Sequence, residues 1–154
     1  MQSEKTKKIK WARSLGLILS IALLPFVVVY FAIRSQYSTT TISVRGVTVK
    51  AQIATTSQQK QRGLCCRDSL PQNAGMLFVY ETPENHRFWM KDTRIPLDIY
   101  WLDAKKNIVH IEHDVQPSSF PKTYGTDIPS QYVLETNAGF AKKHGIRVGD
   151  KVAF

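Results

Sequence analysis

Three groups of side chains in this sequence could do chemistry. The first is Cys65 and Cys66 in "RGLCCRDSL", the only cysteines in the chain. A thiol–disulfide enzyme more usually shows Cys-x-x-Cys at a helix start, where the thiol pKa is lowered. A zinc site needs more ligands than this pair and its neighbours offer. The simplest reading is two small apolar residues packed in a core, because free cysteine behaves as a small hydrophobe. A disulfide between the two, closing a small ring, is the alternative wherever the surroundings are oxidising.

The second group lies in "FWMKDTRIPLDIYWL", residues 88–102. Lys91, Asp92 and Asp98 stand close to Phe88, Trp89 and Trp101, and a turn at Arg94–Pro96 would fold the two carboxylates toward each other. A carboxylate pair can serve as acid and base, and aromatic walls with a few directed polar groups suit sugars and small amphipathic molecules. The competing reading is structural, with Asp98 satisfying the amides of a loop. The third group is "HIEHD", where His110 and Glu112 share one strand face and His113 takes the other. No second ligand cluster accompanies it, so a solvated polar face is expected rather than a metal site. A serine nucleophile elbow, a phosphate loop and a zinc motif are all missing, and no cofactor is expected.

The segment that places these groups in a compartment is at the N-terminus. Residues 15–33, "LGLILSIALLPFVVVYFAI", form an uncharged apolar run of 19 residues. At ~1.5 Å rise per residue such a helix just spans a hydrocarbon core roughly 30 Å thick. Lys5, Lys7, Lys8, Lys10 and Arg13 precede it, and Arg34 follows. Positive flanks stay in the cytoplasm, so residues 1–14 are expected inside, 15–33 in the membrane and the rest outside. A cleaved signal peptide would have a shorter apolar region and a small-residue cleavage site, which "IRSQYS" does not provide. The localisation expected is a single-pass cell membrane protein with an extracytoplasmic domain over residues 41–154, joined by a polar tether at 34–40.

The charge supports this division. Residues 1–34 hold six Lys and Arg against one Glu, a net +5, and the remainder hold fifteen against eleven acidic residues, a net +4. The domain's charge is scattered rather than clustered, so no nucleic-acid partner is expected.

The exported part reads as mainly β. "TISV" and "VTVKAQIA" form a hairpin through Arg45-Gly46, the second strand alternating apolar and polar residues. "TTSQQKQRG" has hydroxyls at an N-cap position and Gly63 at the end, which predicts one short helix. "GMLFVY" is a buried strand, "ETPEN" a turn and "HRFWM" the next strand. "LDIYWL" and "NIVHIEH" flank a hairpin loop, "DAKKN", whose lysines read as solvated. "QYVLET" is a further strand. Asn137 is placed to cap a second helix, "AGFAKKH", with Gly145 after it. "VGDKVAF" closes the chain as a turn and a strand. The sum is an α+β, mainly β domain: six to eight strands in a compact barrel-like or rolled antiparallel sheet with about two short helices, preceded by one transmembrane helix.

From residue 47 onward the landmarks "RGL" followed by Arg67 and "SLP", then "GMLFVY", "FWMKDT", "IPLDIYWLD", "YVLETNAG" and "GIRVGDKV" occur in order. In this the chain resembles the family catalogued as domain of unknown function 192. The resemblance implies a compact, mostly β prokaryotic domain, often behind a signal or anchor, with no established reaction. It also implies that the polar residues of 88–102 and Glu135 of "VLE" recur. Family members usually carry a methionine and then another residue at positions 65 and 66, and Asn at position 92, where this chain has Cys65, Cys66 and Asp92. A chemistry shared by the family would therefore not hang on the cysteines.

Together these readings place a shallow ligand site at Trp89, Lys91, Asp92, Asp98 and Glu135, with Arg67 beside it. The function expected is a binding or envelope-associated module for a small molecule, a glycan or an envelope partner. A hydrolytic or acid–base enzyme using Asp92, Asp98 and Glu135 is the alternative, and a purely structural interaction domain is a third.

Overall fold

The computed structural model describes residues 37–154. The expected anchor at 15–33, its basic flank at 1–14 and the tether residues 34–36 lie outside the described residues. Nine strands are described: β1 (Thr39–Val44), β2 (Val47–Ala54), β3 (Ala74–Glu84), β4 (Phe88–Trp89), β5 (Leu97–Leu102), β6 (Ile108–Val115), β7 (Thr123–Tyr124), β8 (Ser130–Asn137) and β9 (Val152–Ala153). Two short helices accompany them, α1 (Ser57–Arg62) and α2 (Phe140–His144), with a 3-10 turn at Pro117–Ser119.

Seven strands make one sheet in the order β6-β5-β8-β3-β2-β1-β9, and β4 pairs with β7 in a separate ribbon. The sheet curls into a half-barrel. Its two edges meet at one end, where Asn107 bridges to Lys151 and the Ile108 amide donates to the Asp150 carbonyl at 2.9 Å. Lys106 helps to close that end: its amine donates to the Phe154 main-chain oxygen at 2.6 Å and lies over the Phe154 ring. It is a structural tie, not the solvated charge expected.

One pair departs from the antiparallel pattern. β2 and β3 run parallel, with Gln52 opposite Met76 and Ala54 opposite Phe78. Parallel neighbours need a crossover of a dozen or more residues, and residues 55–73, which include α1, provide it. Because this is a single crossover in an otherwise antiparallel sheet, the alternation of strands with helices that would announce it does not repeat.

Strand residues point alternately to the two faces, so the register assigns each side chain to a side. The inner face carries Ile42, Val49, Ala51, Leu77, Tyr100 and Leu134, all buried and closed over by Phe140 and Ala141 of α2. The outer face carries Met76, Phe78, Ile99, Trp101, Val133 and Glu135. That face is buried too, beneath the ribbon. Phe88 of β4 packs edge-on to Phe78 and Trp101, and the Trp101 indole donates to the His86 carbonyl at 2.9 Å. Covering on both sides explains why "GMLF" and "LDIYWL" are continuous buried runs. Gly75 lets β3 and β8 approach, since a Cβ there would stand 2.5 Å from the Glu135 carbonyl oxygen.

Three local expectations are corrected. β3 continues through Thr82-Pro83 to Glu84 with a shift of register, so "ETPEN" does not turn the chain at its start. Of "HRFWM", Phe88–Trp89 alone is strand, and it joins the ribbon instead of the main sheet. Asn137 ends β8, and its side-chain amide donates to the Leu70 and Pro71 carbonyls, holding down the crossover loop. The residue at the cap of α2 is Gly139, at φ 78°.

Asp98 belongs to this scaffold. It is fully buried on the inner face, and its carboxylate accepts from the Ala141 amide of α2 at 2.8 Å and the Asp114 amide of β6 at 2.9 Å. Truncating it strands the buried Ala141 amide and the part-buried Asp114 amide, at a cost of about 1–3 kcal/mol for a fully buried group and less for the other. Asp98→Ala is therefore expected to lower stability by roughly 2–5 kcal/mol, measured by denaturant unfolding, against a much smaller loss for the exposed Asp92→Ala.

Candidate functional site

The outer face leaves one stretch of sheet without an apolar cover, at the end of β3 and β8 beside α1. α1 is a wholly polar helix with no buried residue. A capping box starts it, in which the Gln59 amide donates to Thr56 Oγ1 and the Thr56 amide donates to Gln59 Oε1. Gly63 ends it under the Phe78 ring, and Leu64 plugs into the core. The opposite bank is the ribbon and the turn after it, in which the Thr93 amide donates to the Met90 carbonyl. The two banks are joined by one main-chain bond, from the Cys66 amide to the Asp92 carbonyl at 2.9 Å.

Between the banks lies a cleft in two compartments. The inner one, about 210 Å³, is lined by Phe78, Tyr80 and Glu135 from the sheet, by Lys60–Leu64, and by Arg87–Trp89, Lys91 and Thr93. The outer one, about 290 Å³, is lined by Gln58, Gln61, Arg62, Cys65, Trp89, Lys91 and Asp92. Gln61, Arg62, Trp89 and Lys91 face both.

Glu135 is the unusual member. It is 5% exposed, and its Oε2 has no hydrogen-bond partner among the described residues. Burial pushes its carboxyl up to about 8, against the opposing pull of the Arg67 charge. It is therefore largely protonated at neutral pH and presents an O–H donor. Burial, and then the Glu135 charge, push the neighbouring Tyr80 phenol up to about 12. The Tyr80 ring is already sandwiched: His86 stacks on it at 3.4 Å, which leaves the Lys60 ammonium, 4.2 Å from the centroid, the other face. Trp89 is different. It is half exposed, touches Phe120 edge to ring at 6.0 Å, and has the Lys91 amine 5.9 Å from its centroid.

The structure brings together Trp89, Lys91 and Glu135 in the inner compartment and adds Asp92 in the outer. Arg67 stands behind, donating to Gln52 Oε1 with its charge acting on Glu135. Asp98 is not with them. Asp98 and Glu135 occupy adjacent registers of β5 and β8, which puts them on opposite faces of the sheet. A turn at Arg94–Pro96 therefore does not fold Asp98 toward Asp92's side of the molecule.

Cys65 and Cys66 are disulfide-bonded, and neither lies in the core: Cys65 is half-buried at the outer compartment and Cys66 is exposed. The buried hydrophobe of this segment is Leu64, so the pair is not the core packing expected. His110 and Glu112 do share a face, where they bond each other at 3.1 Å beside Trp101. Among the described residues no three His, Cys, Asp or Glu gather as metal ligands.

Sequence reasoning missed Lys60, Gln61, Arg62, Tyr80 and Arg87. The available signal was α1 itself, since a helix with no apolar face has no core to bury and must serve a surface.

The raised Glu135 pKa makes a signed prediction. Its folded value lies above the unfolded one, so its contribution to stability is complete below about pH 4.5 and declines as pH rises toward 8. The difference in unfolding midpoint between the wild type and Glu135→Gln should shift toward the variant over that range. A difference independent of pH would mean that Glu135 titrates normally.

Comparison with known proteins follows the fold closely. A search of the curated proteins finds no match. A crystal structure from Novosphingobium aromaticivorans, of a protein of unknown function, superposes with a TM-score of 0.74 at 31% identity, covering 78% of this chain and 88% of that one. A second, from Sinorhizobium meliloti and called a "putative transcription regulator", gives 0.72 at 29% identity, covering 76% and 94%. A family model matches residues 40–154, which contain both banks of the cleft and all the described strands except the first residue of β1. By that match the chain belongs to DUF192, a family described as uncharacterized ACR.

Proposed function

We propose that this protein is a membrane-tethered, extracytoplasmic binding module whose ligand is a small molecule or glycan unit held in the α1–β4 cleft. The observation that carries the reading is Glu135: a buried carboxyl with an unpartnered oxygen at the floor of a cleft. A buried polar atom without a partner costs about 1–3 kcal/mol, and a group that bears this cost at a concave surface is suited to pairing with a ligand. Trp89 supplies an open aromatic wall, and Lys60, Arg62, Arg87 and Lys91 make the walls cationic. Low-dielectric walls focus such a field on the space between them.

The hydrolytic or acid–base reading on Asp92, Asp98 and Glu135 has less support, although Asp92 lines the outer compartment. Asp98 is committed to main-chain amides on the far face, which leaves Glu135 as the one acidic side chain of the inner compartment. The name of the Sinorhizobium protein would make DNA the ligand. A cleft of about 210 Å³ admits no duplex.

Two measurements test the proposal. In the uniformly 15N-labelled full chain in detergent micelles, the Trp89 indole signal, assigned with Trp89→Phe, should move on titration with a panel of neutral sugars, acidic sugars, phosphate and amino acids, while that of buried Trp101 stays in place. A panel that leaves Trp89 unmoved at 20-fold molar excess and above, to about 20 mM, would overturn the binding reading. For the tether, intact mass of the protein from membranes should include residue 1. A chain beginning near residue 35 would remove the anchor.

A further inference from the structure

Resting on that binding reading, we infer that the ligand is an acidic N-acetylated sugar, its ring stacked on Trp89, its carboxylate between Arg62 and Lys91, and its amide oxygen at Glu135.

Each part follows from a different group. The Trp89 ring lines both compartments and is half exposed, with Phe120 meeting it edge to ring. Tyr80, by contrast, is sandwiched and offers no free face. Although Lys91 lies over part of the Trp89 ring and Phe120 packs against it, half of Trp89 is open, so it offers a ligand more aromatic surface than Tyr80 does, and a single partly open ring suits the C–H face of a pyranose better than a base needing two walls. The anion is placed by Lys91, whose amine stands 5.9 Å from the Trp89 centroid, and by Arg62, which faces both compartments. A carboxylate projecting from a ring on Trp89 lies within their reach, and charge-assisted bonds of that kind are about twice as strong as neutral ones.

The third point is depth. Glu135 Oε2 is buried and unpartnered at the floor of the cleft, and burial favours the neutral form of the carboxyl, which can donate. A donor at the floor calls for an acceptor without charge, such as an acetamide carbonyl, because a second anion there would sit in the least hydrated part of the site. Gln58 and Gln61, with amides that both donate and accept, line the outer compartment where ring hydroxyls would lie. One aromatic face, one anion and one amide acceptor together describe the class.

The test uses N-acetylmuramic acid, N-acetylglucosamine and inorganic phosphate on the labelled full chain, read at Trp89. The acidic sugar is expected to bind about tenfold tighter than the neutral one, the difference that one charge-assisted contact supplies. The double variant Arg62→Gln, Lys91→Gln should erase that preference, bringing the acidic sugar's affinity down to that of the neutral one measured on the same variant. Glu135→Ala should weaken both sugars, and Glu135→Gln, which restores a donor, should rescue them.

Equal affinities for the two sugars would overturn the anionic part, and phosphate binding as tightly as the acidic sugar would overturn the sugar part. In either case the binding reading survives. No movement of Trp89 with any member of the wider panel would overturn both.

Discussion

The whole arrangement depends on burial of the central sheet from both sides. β8 is closed in by β3 and β5, by the α2 side below and by the ribbon above, so its residues Val133, Leu134, Glu135 and Thr136 are all buried. Any ionisable group placed on such strands must be satisfied or neutralised, because an isolated charge in that environment is far too costly. The molecule answers in both ways. Asp98 is wrapped by two main-chain amides and becomes a pin between β5, β6 and α2. Glu135, one face away, lacks a partner for Oε2 and holds a proton in place of a charge.

That difference separates the two faces of the sheet. On the inner face Tyr100 bonds Thr136 across the strands, and each carboxylate oxygen of Asp98 accepts a main-chain amide. On the outer face the apolar cover stops short, and what replaces it is two short polar segments. α1 stands on its capping box, the 63–66 turn on Leu64, and the Lys91–Asp92 turn on Met90. The Cys66–Asp92 main-chain bond ties them across the cleft mouth. Because Cys66 and Asp92 both adopt positive φ, at 66° and 55°, the peptide groups rather than the side chains set this closure.

Much of the fold could be read locally. The β1–β2 hairpin, the capped helix at 57–62 and the turn in which Arg147 donates to Asp150 all rest on contacts between near neighbours. Pattern and propensity encode such contacts directly. The misreadings are all of another kind. Asn137 has the chemistry of a helix cap but is claimed by carbonyls some 66 residues away in sequence. Lys106 looks solvated until the C-terminus arrives beside it. The cysteines look like core because small apolar residues often are, yet the core position next to them is taken by Leu64.

The sequence by itself determined the kinds of group available: a cationic and aromatic set around Trp89 and Lys91, two carboxyls in apolar strands, and a mainly β chain of one family. Whether those carboxyls meet was beyond it. Asp98 and Glu135 face opposite ways because β5 and β8 pair in one register, and a slip of one residue would have put them on the same side. Register is a property of the assembled sheet, set by which apolar face finds the core. Local sequence names the side chains, and only the tertiary structure decides which of them share a cleft.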